Sequence, residues 1–162
     1  MGARRSHSFV LLLACLMLAC LMATACNKPQ EHYQYAVLDT YGVADAVFTF
    51  DMDSTVSYST YFCCRYDLGV IDRDNLRLFI KVVSPSGLTY RDTVVFPLYK
   101  SEAQAEDDPY TKFKIEQNWN ADIEWPWRTG ISSQEAGVWT VSARPERYTG
   151  LHSLGFHYTP AI

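Results

Sequence analysis

The sequence predicts an all-β chain: a single antiparallel β-sandwich of about seven or eight strands behind a cleaved lipoprotein signal peptide. Three observations point there. From Ala46 onward apolar and polar residues alternate with period two, the spacing that puts one face of a strand inside and the other in water. The runs are rich in β-branched and aromatic residues and carry no i, i+3, i+4 stripe of an amphipathic helix. Turn residues separate them at regular intervals, as in packed sheets.

Residues 1–25 read as the signal peptide. Arg4 and Arg5 supply the positive start, Phe9–Met22 the apolar run, and Ala23-Thr24-Ala25 the small residues before Cys26. The run is shorter than the ~20 residues a spanning helix needs. Cys15 has too short an apolar run before it, and cleavage at Cys20 would leave Leu21 and Met22 at the mature start. Cys26 is therefore the expected lipid-attachment residue, with Asn27-Lys28-Pro29-Gln30-Glu31 as a polar leash. Acyl chains at ~0.8 kcal/mol per buried methylene make such an anchor effectively permanent. Residues 26–45, with Pro29 and Gly42, read as the lipidated N-terminus and tether, and 46–162 as the sandwich domain.

The strands follow in order. Phe48, Phe50 and Met52 share one face; Val56, Tyr58, Thr60, Phe62, Cys64 and Tyr66 form the inward row of a second run. Leu76, Leu78, Ile80 and Val82 make a third, and Tyr90, Val94, Phe96 and Leu98 a fourth. Ser84-Pro85-Ser86-Gly87 joins these two: proline suits the second position of a type I turn and glycine the left-handed position that closes it. Residues 100–109 break the alternation as an acidic, exposed loop. Phe113, Ile115, Ile123, Trp125 and Trp127 restore apolar content, and Pro126 marks that stretch as an edge or an irregular crossing. Trp139, Val141 and Ala143, then Leu154, Phe156 and Tyr158, complete the set.

Charge narrows the partners. The chain has 14 basic and 18 acidic side chains, and the loss of Arg4 and Arg5 with the signal takes the net charge from −4 to −6. That balance argues against nucleic acid or an anionic lipid surface as the main partner. Cys63 and Cys64 remain in the mature part and form no framework of spaced cysteines. Neighbouring strand residues point to opposite faces, so the expectation is a buried Cys64 and an outward Cys63 able to pair with another chain.

Enzyme chemistry finds little footing. The mature histidines are His32, His152 and His157, and no Gly-x-Ser-x-Gly elbow accompanies them. His157 lies between Phe156 and Tyr158, the place of a solvent-facing strand histidine. No His-Glu-x-x-His or Cys-x-x-Cys is present for zinc, and Asp51-Met52-Asp53 and Glu106-Asp107-Asp108 lack the glycine turn of a calcium loop. The reading is of a non-enzymatic protein without a cofactor or a metal. Aromatics carry the binding signal. Trp119, Trp125 and Trp127 crowd one segment with Asn118, Asn120, Asp122, Glu124 and Arg128, and are the candidate contacts for a partner or a glycan. Three uses stay open for these rings: sandwich core, protein interface and sugar-stacking face.

From Asn75 onward the chain resembles the GldH family of gliding-motility lipoproteins of Bacteroidota. The residues that carry the resemblance are Asn75–Ile80, the Ser84–Gly87 turn, Tyr90-Arg91-Asp92-Thr93-Val94, Gly137-Val138-Trp139-Thr140-Val141 and Gly150–Phe156. It spans most of residues 46–158 together with the lipobox, and Lys100–Asn118 match least. The resemblance implies a cell-envelope lipoprotein that acts beside other lipoproteins in the machinery coupling type IX secretion to gliding, and it brings no catalytic residues. The mature start lacks the acidic cluster that promotes surface export in this phylum, so the expected place is the outer membrane, facing the periplasm. The alternative from another class is a glycan-binding lipoprotein of a polysaccharide-uptake system.

Overall fold

The computed structural model describes residues 31–38, 45–147 and 149–161, and within them two antiparallel sheets face each other as a β-sandwich. Nine strands are present among the described residues: β1 (His32–Val37), β2 (Ala46–Met52), β3 (Tyr58–Asp67), β4 (Asn75–Val83), β5 (Thr89–Pro97), β6 (Lys112–Ile115), β7 (Asn120–Ile131), β8 (Gly137–Pro145) and β9 (Leu151–Pro160). One sheet has the order β1-β9-β3-β7-β6, the other β2-β8-β4-β5. The expected signal peptide and Cys26 lie outside the described residues.

The period-two alternation is what splits the molecule into inside and outside. Phe48 and Phe50 of β2, Leu76, Leu78 and Ile80 of β4, and Phe62 and Tyr66 of β3 are buried, together with Phe156 of β9 and Val141 of β8. The rings interlock across the gap: Phe48 stacks on Phe156 at 5.8 Å and Phe96 on Trp125 at 4.8 Å. Trp125 also donates its indole N–H to the Pro97 carbonyl at 2.8 Å, a bond from one sheet to the other that satisfies the one polar atom of the largest buried ring.

The β4–β5 hairpin closes as its sequence predicts. Gly87 has φ of 89°, where a side chain is disfavoured, and the Ser84 carbonyl accepts from the Gly87 N–H at 2.9 Å. Pro126 lies on β7 opposite Tyr61, just beyond Glu124, where the pairing with β6 ends. Its missing N–H therefore faces no neighbouring strand on that side. Within the acidic loop a short helix, α1 (Glu102–Ala105), forms. The loop's end is fixed by Asp108, whose carboxylate accepts from the Tyr99 and Thr111 hydroxyls at 2.9 and 2.6 Å.

The described sheet begins earlier than the sequence suggests. His32–Val37, assigned to the tether, pair with β9 from His32↔Tyr158 to Val37↔Ser153. The segment is short and its alternating row is Tyr33, Tyr35 and Val37 on one face against His32, Gln34 and Ala36, which reads as mixed polarity without a partner to show which face is covered.

Candidate functional site

The outer face of the five-stranded sheet carries the most unusual chemistry of the fold. The register lines up outward side chains in rows across the strands. One row is Tyr33, His157 and Tyr61; the next is Tyr35, Gly155, Cys63, Glu124 and Lys112; the third is Val37, Ser153, Arg65, Asp122 and Lys114. Together they line much of a groove of about 840 Å³.

His157 is the surprise. It points to the outer face as its position in β9 requires, yet it is only 2% exposed. The expected solvent-facing histidine is corrected, and the cause is aromatic cover: Tyr33 stacks on one side at 3.9 Å and Tyr61 lies on the other at 5.1 Å. Its Nδ1 is 3.3 Å from a Glu124 carboxylate oxygen without the alignment of a hydrogen bond. Burial holds the imidazole pKa below its ordinary value, and Glu124 pulls only partly the other way. Glu124 is itself nearly buried, and its other oxygen takes the Lys112 ammonium at 2.7 Å.

Cys63 corrects a second expectation. It faces outward in the strand, opposite to Cys64, but both are buried and both are free thiols. Gly155 makes this possible. A Cβ there would stand 2.4 Å from the Cys63 sulphur and 2.7 Å from the Tyr35 ring, so the glycine leaves the notch in which thiol and ring meet. Burial pushes the Cys63 thiol up to about 12, which leaves it protonated and a poor nucleophile near neutral pH. Below this row Arg65 grips Asp122 with two bonds of 2.7 and 2.6 Å. The face offers rings, fixed charges and amides for binding. Among the described residues no group of three metal-ligating side chains converges.

The three tryptophans singled out from the sequence do not share a face. Trp125 is 1% exposed and belongs to the core, so it offers nothing to an outside partner. Trp127 lies on the inner side of the same sheet, tilted against Phe62 at 5.2 Å, and its indole N–H reaches Asp92. Trp119 stands alone at 76% exposure just before β7, and it and Asn118 both hold left-handed backbone, φ of 61° and 64°. A bulky residue in that region is a strained outlier, and such strain concentrates where a surface is used. Period two in β7 puts Trp125 and Trp127 on one face, and Trp119 is set apart because the strand begins only at Asn120.

Over 102 residues, 61% of this chain, it is 28% identical to the gliding motility lipoprotein GldH of Flavobacterium johnsoniae. The match spans 64% of that relative, under two thirds of its length. No protein-family model matches the chain. Among the described residues no helix is long and apolar enough to cross a membrane.

Proposed function

We propose that this chain is a non-catalytic lipoprotein of the cell envelope, held by acyl groups on Cys26 in the outer membrane and facing the periplasm. It serves there as an accessory or assembly component of the gliding-motility and type IX secretion machinery, in contact with other envelope lipoproteins or secretion and motility components. The observation that carries the reading is the similarity to the gliding motility lipoprotein GldH, combined with the lipobox that ends at Cys26. The outer face of the five-stranded sheet is the partner surface that the geometry supports best. Its Tyr33, Tyr35 and Val37 project from an edge strand beside fixed pairs of opposite charge, the mix of apolar anchors and polar rim that protein interfaces use.

The glycan-binding alternative needed several rings on one face. Trp125 lies in the core, which removes the middle of that platform.

The test is affinity purification of the tagged protein from native membranes after light crosslinking, with Cys26→Ala as the unanchored control. Motility or secretion lipoproteins are expected to co-purify and to be lost in the control. Val37→Glu and Trp119→Ala, both at exposed positions, map the surface: the first is expected to lose the partner with its melting curve unchanged. Recovery of the protein alone, or with glycan-uptake components, overturns the reading.

A further inference from the structure

At one place the two sheets fail to close on each other. Val82, Tyr90, Trp127, Ile131 and Trp139 face inward, yet none is fully buried, and Tyr90 remains 51% exposed. They line a cleft of about 500 Å³ between the sheets. That volume falls within the range of small-molecule sites, whose linings are mostly apolar with a few placed polar groups. Two features of the topology build it. It lies between edge strand β5 and the part of β7 beyond the end of β6, so no strand seals that side. Two successive register shifts against β3 also insert extra residues into β7. The neighbours Trp127 and Arg128 therefore both reach the cleft instead of pointing to opposite faces, the re-aiming that bulges bring about.

The mouth is electrically neutral. Arg128 and Asp92 stand there 2.7 Å apart, while Arg91, opposite Lys81, points to the outer face of the four-stranded sheet. Burial alone would push the Asp92 carboxyl up, but bonds from the Trp127 indole, Arg128 and the Thr93 N–H hold it below the ordinary carboxylate range. The pair is therefore ionised and mutually compensated near neutral pH. A head with a net charge would have to break it. An uncharged hydroxyl need not: it can accept from a further Arg128 N–H and donate to Asp92, since a guanidinium has several N–H groups and a carboxylate several lone pairs. Deeper in, the Thr60 hydroxyl donates to the Arg128 carbonyl, and the Trp127 and Trp139 indoles donate to Asp92 and to the Glu135 carbonyl. Those donors are committed, so a sugar ring drawn between the sheets would strand its own hydroxyls. An apolar chain has no such groups to strand, and it covers the open rings.

From this we infer that the inter-sheet cleft binds a single-chain lipid with an uncharged hydroxyl head, its chain between Tyr90, Trp127 and Trp139 and its hydroxyl on the Arg128–Asp92 pair. The apolar lining gives the affinity, and the compensated pair selects against charge of either sign. Each ion of the pair sets specificity by neutralising the other. The inference goes beyond the motility reading and rests on the cleft and its mouth alone.

The experiment uses the chain from Asn27, which contains every described strand and no acyl group of its own, and follows tryptophan fluorescence. 1-Lauroylglycerol below its aggregation concentration is expected to bind saturably. Dodecanoate and dodecyltrimethylammonium are expected to bind at least about tenfold weaker, because each breaks the ion pair. Maltose is expected not to bind. 1-Dodecanol is titrated beside the glycerol ester; tighter binding of one or the other names a fatty alcohol or a monoacylglycerol as the source. Asp92→Asn keeps an acceptor for Trp127 but leaves Arg128 uncompensated, and is expected to make dodecanoate the tighter ligand. Arg128→Gln leaves Asp92 uncompensated and is expected to turn the preference to dodecyltrimethylammonium. Val82→Phe, which fills the cleft, is expected to abolish binding, with the urea midpoint measured in parallel. If that change unfolds the domain, Tyr90→Ala at a half-exposed ring is expected to weaken binding severalfold with the midpoint unchanged. Absence of saturable binding, equal affinity for the neutral and charged lipids, binding of maltose in place of the lipid, or indifference to both changes of the pair would overturn the proposal.

Discussion

Two residues concentrate the cost and the constraint of the outer face. Gly155 is required by contact: adding a methyl group meets the Cys63 sulphur and the Tyr35 ring inside van der Waals distance. Gly155→Ala should lose about 1–3 kcal/mol in urea unfolding, as overpacked sites do. Adding Cys63→Ala should recover only part of it, because the Tyr35 ring still clashes. His157 sets a pH dependence. Its folded pKa lies below the ordinary 6.5, so the unfolded chain binds the proton more readily. Stability is then complete above about pH 6.5 and declines as the pH falls below it. Unfolding free energies between pH 7.5 and 5.5 should drop more steeply for the native chain than for His157→Phe, which keeps a ring between Tyr33 and Tyr61 but cannot titrate. Neither residue announced its role in the sequence. Alternation gives the face a side chain lies on, but not whether another strand's rings will cover that face.

At the scale of elements, β1 does more than extend a sheet. The Gln34 amide on its inner side reaches across to β2, where its oxygen accepts from the Thr49 N–H at 2.9 Å and its nitrogen donates to the Thr49 carbonyl. Strand β2 ends its sheet, so these are free edge groups, and one side chain stands in for a neighbouring strand. Gln34→Ala should cost about 1–2 kcal/mol, two neutral hydrogen bonds' worth. It should also raise self-association in light scattering by exposing the β2 edge. Gln34→Glu should retain the bond from the Thr49 N–H and lose the one to the carbonyl, for an intermediate loss. Strands β2, β4 and β8 were legible because their apolar rows are unbroken. β1 was not, since six residues of mixed polarity become a strand only through the partner they find on β9.

Across the whole molecule the two sheets should unfold as one unit, because their shared core is held by rings that reach from one to the other. Trp125 is the centre of that tie, packed on Phe96 and bonded to Pro97. Trp125→Ala should cost about 3–5 kcal/mol, and the fluorescence and circular-dichroism transitions of the native chain should coincide, as for one cooperative unit. By itself the sequence determined the fold class, the β4–β5 turn and the local edge at Pro126, and it carries the expectation of a lipid anchor at Cys26. Each is a local property, written in alternation, in the backbone limits of proline and glycine, or in a contiguous motif. Only the tertiary structure decided that Trp125 is core while Trp119 is surface, that His157 and Cys63 are covered, and that an apolar cleft stays open beside β5. Those outcomes depend on which strand lies next to which and on where a short one ends, and such pairings join residues more than a hundred positions apart.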